Sequence, residues 1–421
     1  MGTATEKHSN DGSDPHRGHV KTQAYFLGAT TSLDTMPHAL GVVSNMNDYA
    51  KLSEHFGQEF SLAESTKTAL KMTQDERFCR QVGYKPDLMV RQLEELFTKH
   101  QVPIGLMNKL FGLQDFDVLE FIIDDSNSMQ CSYGTCDPVS QQFNTRWTEA
   151  KARLKELLEF VAYVPFQRIQ VSFLDRPTEL IWTRNDREPN LFLTDAIAEI
   201  DAFFAVGPTN TPPLWEHLHD TLIAGHKEKV ACFFLTDGLP NALDLAHHET
   251  FQALLRRPNP AANPVTFLSC TNDIAHRDWM KDAASVVPYC TEWDDYAETK
   301  SEVACAQGHG IPYTKGFHLI CELVSAMYPD DLSLMKTSIP FTKATLDTML
   351  GIRLNEATYR YYFDEFCKAQ QANCEDDNPK DKVKRSFSWE ADEFLRIPLA
   401  KASKQVEKYN ALLKEEATQL G

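Results

Sequence analysis

Five residues in three separate segments are of the types that bind a hard metal ion. The first segment reads Asp124-Asp125-Ser126-Asn127-Ser128, a D-x-S-x-S pattern at the end of an apolar run. Alternate residues of an extended or turning backbone point the same way, so Asp124, Ser126 and Ser128 are expected to face one point. The second is Gly207-Pro208-Thr209-Asn210-Thr211-Pro212-Pro213, just before an amphipathic stretch, where hydroxyls commonly cap a helix or approach a ligand. The third is Asp237 in Thr236-Asp237-Gly238, where glycine lets the backbone turn sharply after the carboxylate. Carboxylates and hydroxyls are hard oxygen donors, suited to magnesium or manganese and not to zinc or copper. Taken singly, Ser126 and Thr211 read as helix caps and the acids as solvated groups. Taken together at one buried edge, two carboxylates and three hydroxyls need a cation.

The elements that would position them are set by the hydrophobic pattern. Residues 118–123 form an apolar strand ending in Asp124, and 230–235 a second one ending in Thr236-Asp237. Further strands are expected at 169–174, 265–269 and 287–292, with 179–183 returning as a hairpin. Between them, Ala150, Leu154, Leu157, Leu158 and Val161 share one helical face. Leu193, Ile197, Ile200 and Phe204 share another, and helices are also expected at 214–222, 274–284 and 316–327. Continuous apolar strands separated by amphipathic helices predict an α/β fold, doubly wound and Rossmann-like, with a mostly parallel sheet covered on both faces. Ligands in such sheets bind beyond the carboxyl ends of the strands, beside a switch in strand order. Asp124 and Asp237 stand at two such ends.

On either side the pattern changes. Residues 1–85 read as largely disordered or loosely helical, and 86–116 as a helical lead-in carrying Leu93, Phe97, Leu106 and Leu110. Residues 329–421 read as a mostly helical extension. It holds a helix within 349–368 whose aromatic cluster (Tyr359, Tyr361, Tyr362, Phe363, Phe366) is expected in the core. Beyond it lie a charged linker over 374–385 and a final helix striped by Leu399, Val406 and Leu413.

D-x-S-x-S after a first strand, a threonine before a helix, and T-D-G after a central strand resemble the metal-ion-dependent adhesion site (MIDAS) of von Willebrand factor A (vWA) and integrin I domains. The resemblance covers 117–328, and Arg146-Trp147 at the first helix is similar to the intracellular members. It implies that Ser126 and Ser128 bind the metal directly, with Asp124 and Asp237 acting directly or through water. It assigns the threonine position to Thr211, which is followed by proline and a helix-like run, with Thr209 as the alternative. It also implies one open coordination position, filled by an Asp or Glu from a protein partner. The segment 129–146 is longer than in many relatives and polar, so it is expected to be exposed and mobile.

Composition narrows the partners. With 60 acidic against 42 basic residues the formal charge is −18, a field that repels nucleic acid phosphates and anionic lipid. No apolar run is long enough to span a membrane, and no secretory signal is visible. Ten cysteines in 421 residues do not make a disulfide framework, and the Cys131-x4-Cys136 pair has no second pair to complete a zinc site. A reducing, cytoplasmic setting is expected. The histidines of Glu216-His217-Leu218-His219 lie at i and i+2, so a helix turns them apart, and no H-E-x-x-H spacing occurs. No glycine-rich phosphate loop or Ser-His-Asp arrangement is recognisable. These readings favour a non-enzymatic, magnesium- or manganese-dependent protein-binding module, an intracellular scaffold or adaptor. The alternatives are a metal-assisted hydrolase and a structural subunit whose metal only steadies the fold.

Overall fold

The computed structural model describes residues 86–136, 143–183, 188–209, 228–238, 254–257, 259–271, 273–329 and 331–373. The N-terminal region 1–85, the expected helix at 214–222, and the linker and final helix beyond 373 lie outside these residues. In chain order the strands are β1 (Val118–Ile123), β2 (Ser132–Cys136), β3 (Phe143–Thr145), β4 (Arg168–Phe173), β5 (Glu179–Thr183), β6 (Val230–Thr236), β7 (Val265–Ser269) and β8 (Cys290–Trp293). The helices used below are α1 (Pro86–His100), α2 (Gly105–Leu110), α3 (Arg146–Val161), α4 (Pro189–Phe204), α5 (Ile274–Val286), α6 (Tyr296–Gln307), α7 (Lys315–Val324), α8 (Lys343–Leu350) and α9 (Glu356–Asn373).

Six strands form one sheet in the order β5-β4-β1-β6-β7-β8. All neighbours pair in parallel except β5, which returns antiparallel on β4 as the expected hairpin. The chain runs outward from β1 through β4 to β5, then crosses back and runs from β6 to β8 on the other side, so the order reverses once, between β1 and β6. Every residue of β1 and β6 is buried, as a strand covered on both faces requires. Alternate residues divide between two apolar clusters. Phe121 and Ile123 of β1 and Phe233 of β6 pack with Leu154 of α3, Ile200 of α4 and Phe317 of α7. Ile122, Cys232, Phe234 and Phe267 point the other way, onto Met280 and Ala283 of α5. The flanking segments join the first of these cores: Leu93 and Leu106 before the sheet, and Met349 and Phe363 after it, belong to the same cluster as Phe121.

Four features differ from the sequence-based expectation, the smallest being that the strand expected at 287–292 is Cys290–Trp293. The segment 129–146 is in part ordered, since β2 and β3 pair antiparallel between Ser132 and Thr145. Alternation is short there and broken by Gly134, which hides the hairpin. Helix α6 is not foretold, because its residues (YAETKSEVACAQ) carry no apolar stripe. Its start is fixed by Asp295, which accepts from the Glu298 amide at 2.8 Å, and its end by Gly308 at φ +78°. Finally, the expected helix over 349–368 is divided. Gly351 ends α8 in the left-handed conformation at φ +71°, and α9 restarts at Glu356. Four of the five clustered aromatics are core, Tyr359, Tyr362, Phe363 and Phe366 being buried, while Tyr361 is only partly buried against them. Phe341 N donates to Tyr362 Oη at 2.7 Å, and that hydroxyl donates to Gln307 Oε1 at 2.8 Å.

Candidate metal centre

The register of the central strands brings two segments of the candidate site together. Ile123 stands opposite Leu235 and Phe173, so β1, β4 and β6 end level with one another. The next residues therefore emerge at one edge. Asp124 N donates to Leu235 O at 2.9 Å, which carries the ladder one step beyond the strand and sets Asp124 beside Thr236. Both Asp124 and Asp237 are fully buried.

Local hydrogen bonds hold the first segment. Asp124 Oδ1 accepts from the Ser126 amide at 3.0 Å, and Oδ2 accepts from the Thr236 hydroxyl at 2.6 Å. Ser126 is extended and buried, and it starts a single 3-10 turn over Asn127–Gln130. That turn brings the Ser126 and Ser128 hydroxyls within 2.9 Å of each other. Met129, fully buried, anchors the turn in the core. The alternation read from D-x-S-x-S thus survives, although the backbone is a tight turn and not a strand.

Asp237 is placed by the turn at Gly238. That glycine has φ +84°, and a Cβ there would lie 2.1 Å from the His276 carbonyl oxygen, so only glycine fits. The Gly238 amide donates to Thr236 Oγ1 at 3.0 Å, and Trp279 Nε1 donates to the Gly238 carbonyl at 2.6 Å. Thr236 therefore links both carboxylate segments, a role that its place in the sequence does not announce.

The electrostatics are those of two acids removed from water. Burial, together with the charge of Asp237, pushes the Asp124 carboxyl up to about 7; hydrogen bonds from Thr236 and Ser126 act in the opposite direction. Asp237 meets a cation of the chain, Arg146, whose Nη1 lies 2.6 Å from Oδ2. The sequence marks Arg146 only through a resemblance. An arginine opening a helix beside a D-x-S-x-S strand is the available signal.

Asp125 faces away from this group. Its carboxylate accepts from the Asp175 amide at 2.9 Å and from Arg176 Nε at 2.8 Å, and it is raised by burial against those bonds. Thr209 is committed to the same side. Its amide donates to Asp125 O at 2.7 Å, and its hydroxyl lies 3.1 Å from that oxygen and 3.0 Å from Asp175 Oδ2. Thr211 lies outside the described residues. Asp124, Ser126, Ser128 and Asp237 are thus placed at one edge, and Thr209 braces the back of the loop.

A second acidic group, Asp294, Glu298 and Glu302, has ligand atoms within 4.8 Å of one another. Cations of the chain already meet it: Arg277 lies 2.6 Å from Asp294 and 2.8 Å from Glu298, and Lys281 2.9 Å from Glu302. It is an ion-pair network between α5, β8 and α6.

An all-oxygen set with two buried carboxylates and two converging hydroxyls fits a hard divalent cation. No family profile matches the sequence, and no curated protein does. Among solved structures, a mutant of the PilB minor pilin from Streptococcus sanguinis is similar over 63% of this chain, at 10% identity and a TM-score of 0.30. The chain spans 64% of that structure's length, and the likeness is too distant to bear on the site. No described helix is long and apolar enough to cross a membrane.

Proposed function

We propose that 117–328 is a vWA-type domain whose MIDAS (Asp124, Ser126, Ser128, Thr211 and Asp237) holds magnesium or manganese and docks a carboxylate from a protein partner. The observation that carries this reading is the pairing of two fully buried carboxylates, Asp124 and Asp237, beside the Ser126 and Ser128 hydroxyls at the carboxyl edge of β1 and β6. Arg146 meets only one of the two carboxylates, and the charge left over is costly to bury without a further cation. The strand order supports it, because the reversal between β1 and β6 opens a crevice at the edge where Asp124 and Asp237 follow those two strands. Thr209 is engaged by Asp125 and Asp175, which favours Thr211 as the metal threonine.

The metal's chemistry here is that of a bridge. A metal held by Asp124, Ser126, Ser128 and Asp237 would keep enough charge to attract an incoming Asp or Glu side chain. The chain's residues shape and desolvate that position, and the role is binding, not turnover. The setting proposed is the cytoplasm, with neither nucleic acid nor membrane as partner. The test is capture of a partner by the wild type in magnesium, in chelator, and by Asp237→Asn, with melting curves alongside. Chelator-sensitive capture lost in a folded Asp237→Asn supports docking through the metal. Capture that survives both treatments contradicts it.

A further inference from the structure

Arg146 joins the site to the hairpin in front of it. It is the first residue of α3, held there by Thr145, whose hydroxyl accepts from the Thr148 amide at 3.1 Å. Its own amide donates to Cys131 O at 3.1 Å, which ties the helix start to the foot of the β2–β3 hairpin. Its side chain is almost buried, at 11% exposure, and reaches Asp237 with Nη1 at 2.6 Å. Its Nε is buried and has no hydrogen-bond partner among the described residues.

A guanidinium does not lose its charge in a protein, so it satisfies a buried carboxylate at any working pH. A divalent ion needs the same carboxylate. Both cations around one Asp237 would repel each other at close range in a poorly screened pocket. We infer that Arg146 is the site's own counter-cation: it holds Asp237 in the metal-free protein and competes with the metal for that carboxylate. This rests on the metal-site reading and adds a regulation to it. Arg146 is a positioning residue that keeps the two-acid pocket folded when empty and sets how tightly the metal binds.

The test is a manganese titration, read by electron paramagnetic resonance, on the wild type, Arg146→Gln and Arg146→Lys. Arg168→Gln serves as a control: it removes the same charge at the far end of β4, where Arg168 pairs with Glu228. Arg146→Gln is expected to bind manganese on the order of tenfold more tightly, the weight of a hydrogen bond to a charged group. Arg146→Lys, which keeps a cation without the fork, is expected to fall between the two, and Arg168→Gln to match the wild type. Melting gives a second readout. Magnesium should raise the melting temperature of Arg146→Gln by several degrees more than that of the wild type, because the metal replaces the missing charge. Should Arg146→Gln not fold, Arg146→Lys carries the same comparison. Equal affinities and equal magnesium-induced shifts in all four proteins would overturn the role of Arg146 while leaving the site intact. A wild type that binds no manganese would overturn the site reading itself, and this inference with it.

Discussion

Arg153 of α3 and Glu322 of α7 meet in the core with guanidinium Nε 2.9 Å and Nη2 2.5 Å from the same carboxylate oxygen, Oε1. Further guanidinium bonds go to the ends of strands: Nη1 to Ser269 O at 2.7 Å, and Nη2 to Trp293 O at 3.0 Å and, just past β8, to Asp294 O at 2.8 Å. One side chain thus ties α3, which begins at the candidate site, to β7, β8 and α7. Burial opposes ionisation of Glu322, but Arg153 and His318 hold its carboxyl below the ordinary value. Glu322→Leu strands a buried guanidinium and is expected to lower stability by roughly 3–5 kcal/mol in urea unfolding. The double replacement with Arg153→Met should cost clearly less than the sum of the singles. Strict additivity would show that the two side chains are not one energetic unit.

The turn after Asp237 gives a second prediction. Gly238 combines φ +84° with only 2.1 Å between its would-be Cβ and His276 O. Gly238→Ala must move α5 or twist the turn, at a cost of about 1–3 kcal/mol or more. Since the turn aims Asp237, manganese affinity should drop with stability. A melting temperature within a degree of the wild type would contradict the described turn.

The pH dependence of stability has a source away from the metal. His100 Nε2 lies 2.9 Å and Lys99 Nζ 2.6 Å from the Glu159 carboxylate, and these contacts hold it down to about 2 against partial burial. The folded value lies below the ordinary 4.5, so Glu159 contributes stability above that pH, and the contribution is lost as pH falls from 4.5 toward about 2. Glu159→Gln should flatten the acid limb of the melting temperature in that window. At neutral pH its cost should stay on the order of 1 kcal/mol, since Lys99 is exposed and solvent screens the carboxylate's open side. Parallel wild-type and mutant curves from pH 5 to 2 would remove Glu159 from the account.

Much of the sheet is legible because its strands are continuous apolar runs with little ambiguity. VLEFII and VACFFLT end at the acids, and the register that levels Ile123 with Leu235 comes from burying both faces. Elements held by polar bonds escape the pattern. Helix α6 owes its ends to Asp295 and Gly308 and shows no stripe. The β2–β3 hairpin is short, polar and fastened through the Arg146 amide to Cys131.

The same division runs through the candidate site. That Asp124, Ser126, Ser128 and Asp237 gather at one edge follows from the strand ends and the turn that carry them. The partners that hold them are not legible in this way, because they come from distant sequence: Thr236 bonds Asp124 across 112 positions, and Arg146 pairs with Asp237 across 91. Thr209, the alternative metal threonine by sequence, is explained by a contact with Asp125 and Asp175 that no local pattern foretells.

The most direct measurement of the central claim is a manganese titration of the wild type beside Asp124→Asn, each followed by electron paramagnetic resonance and checked for folding by melting. Asparagine keeps a group of the same shape beside Thr236 and relieves the repulsion from Asp237, so the variant should melt at or above the wild-type temperature without metal. A single saturable manganese site is expected in the wild type, displaced by magnesium, and weakened on the order of tenfold or more in Asp124→Asn. Manganese bound equally by both proteins, or by neither, would contradict it.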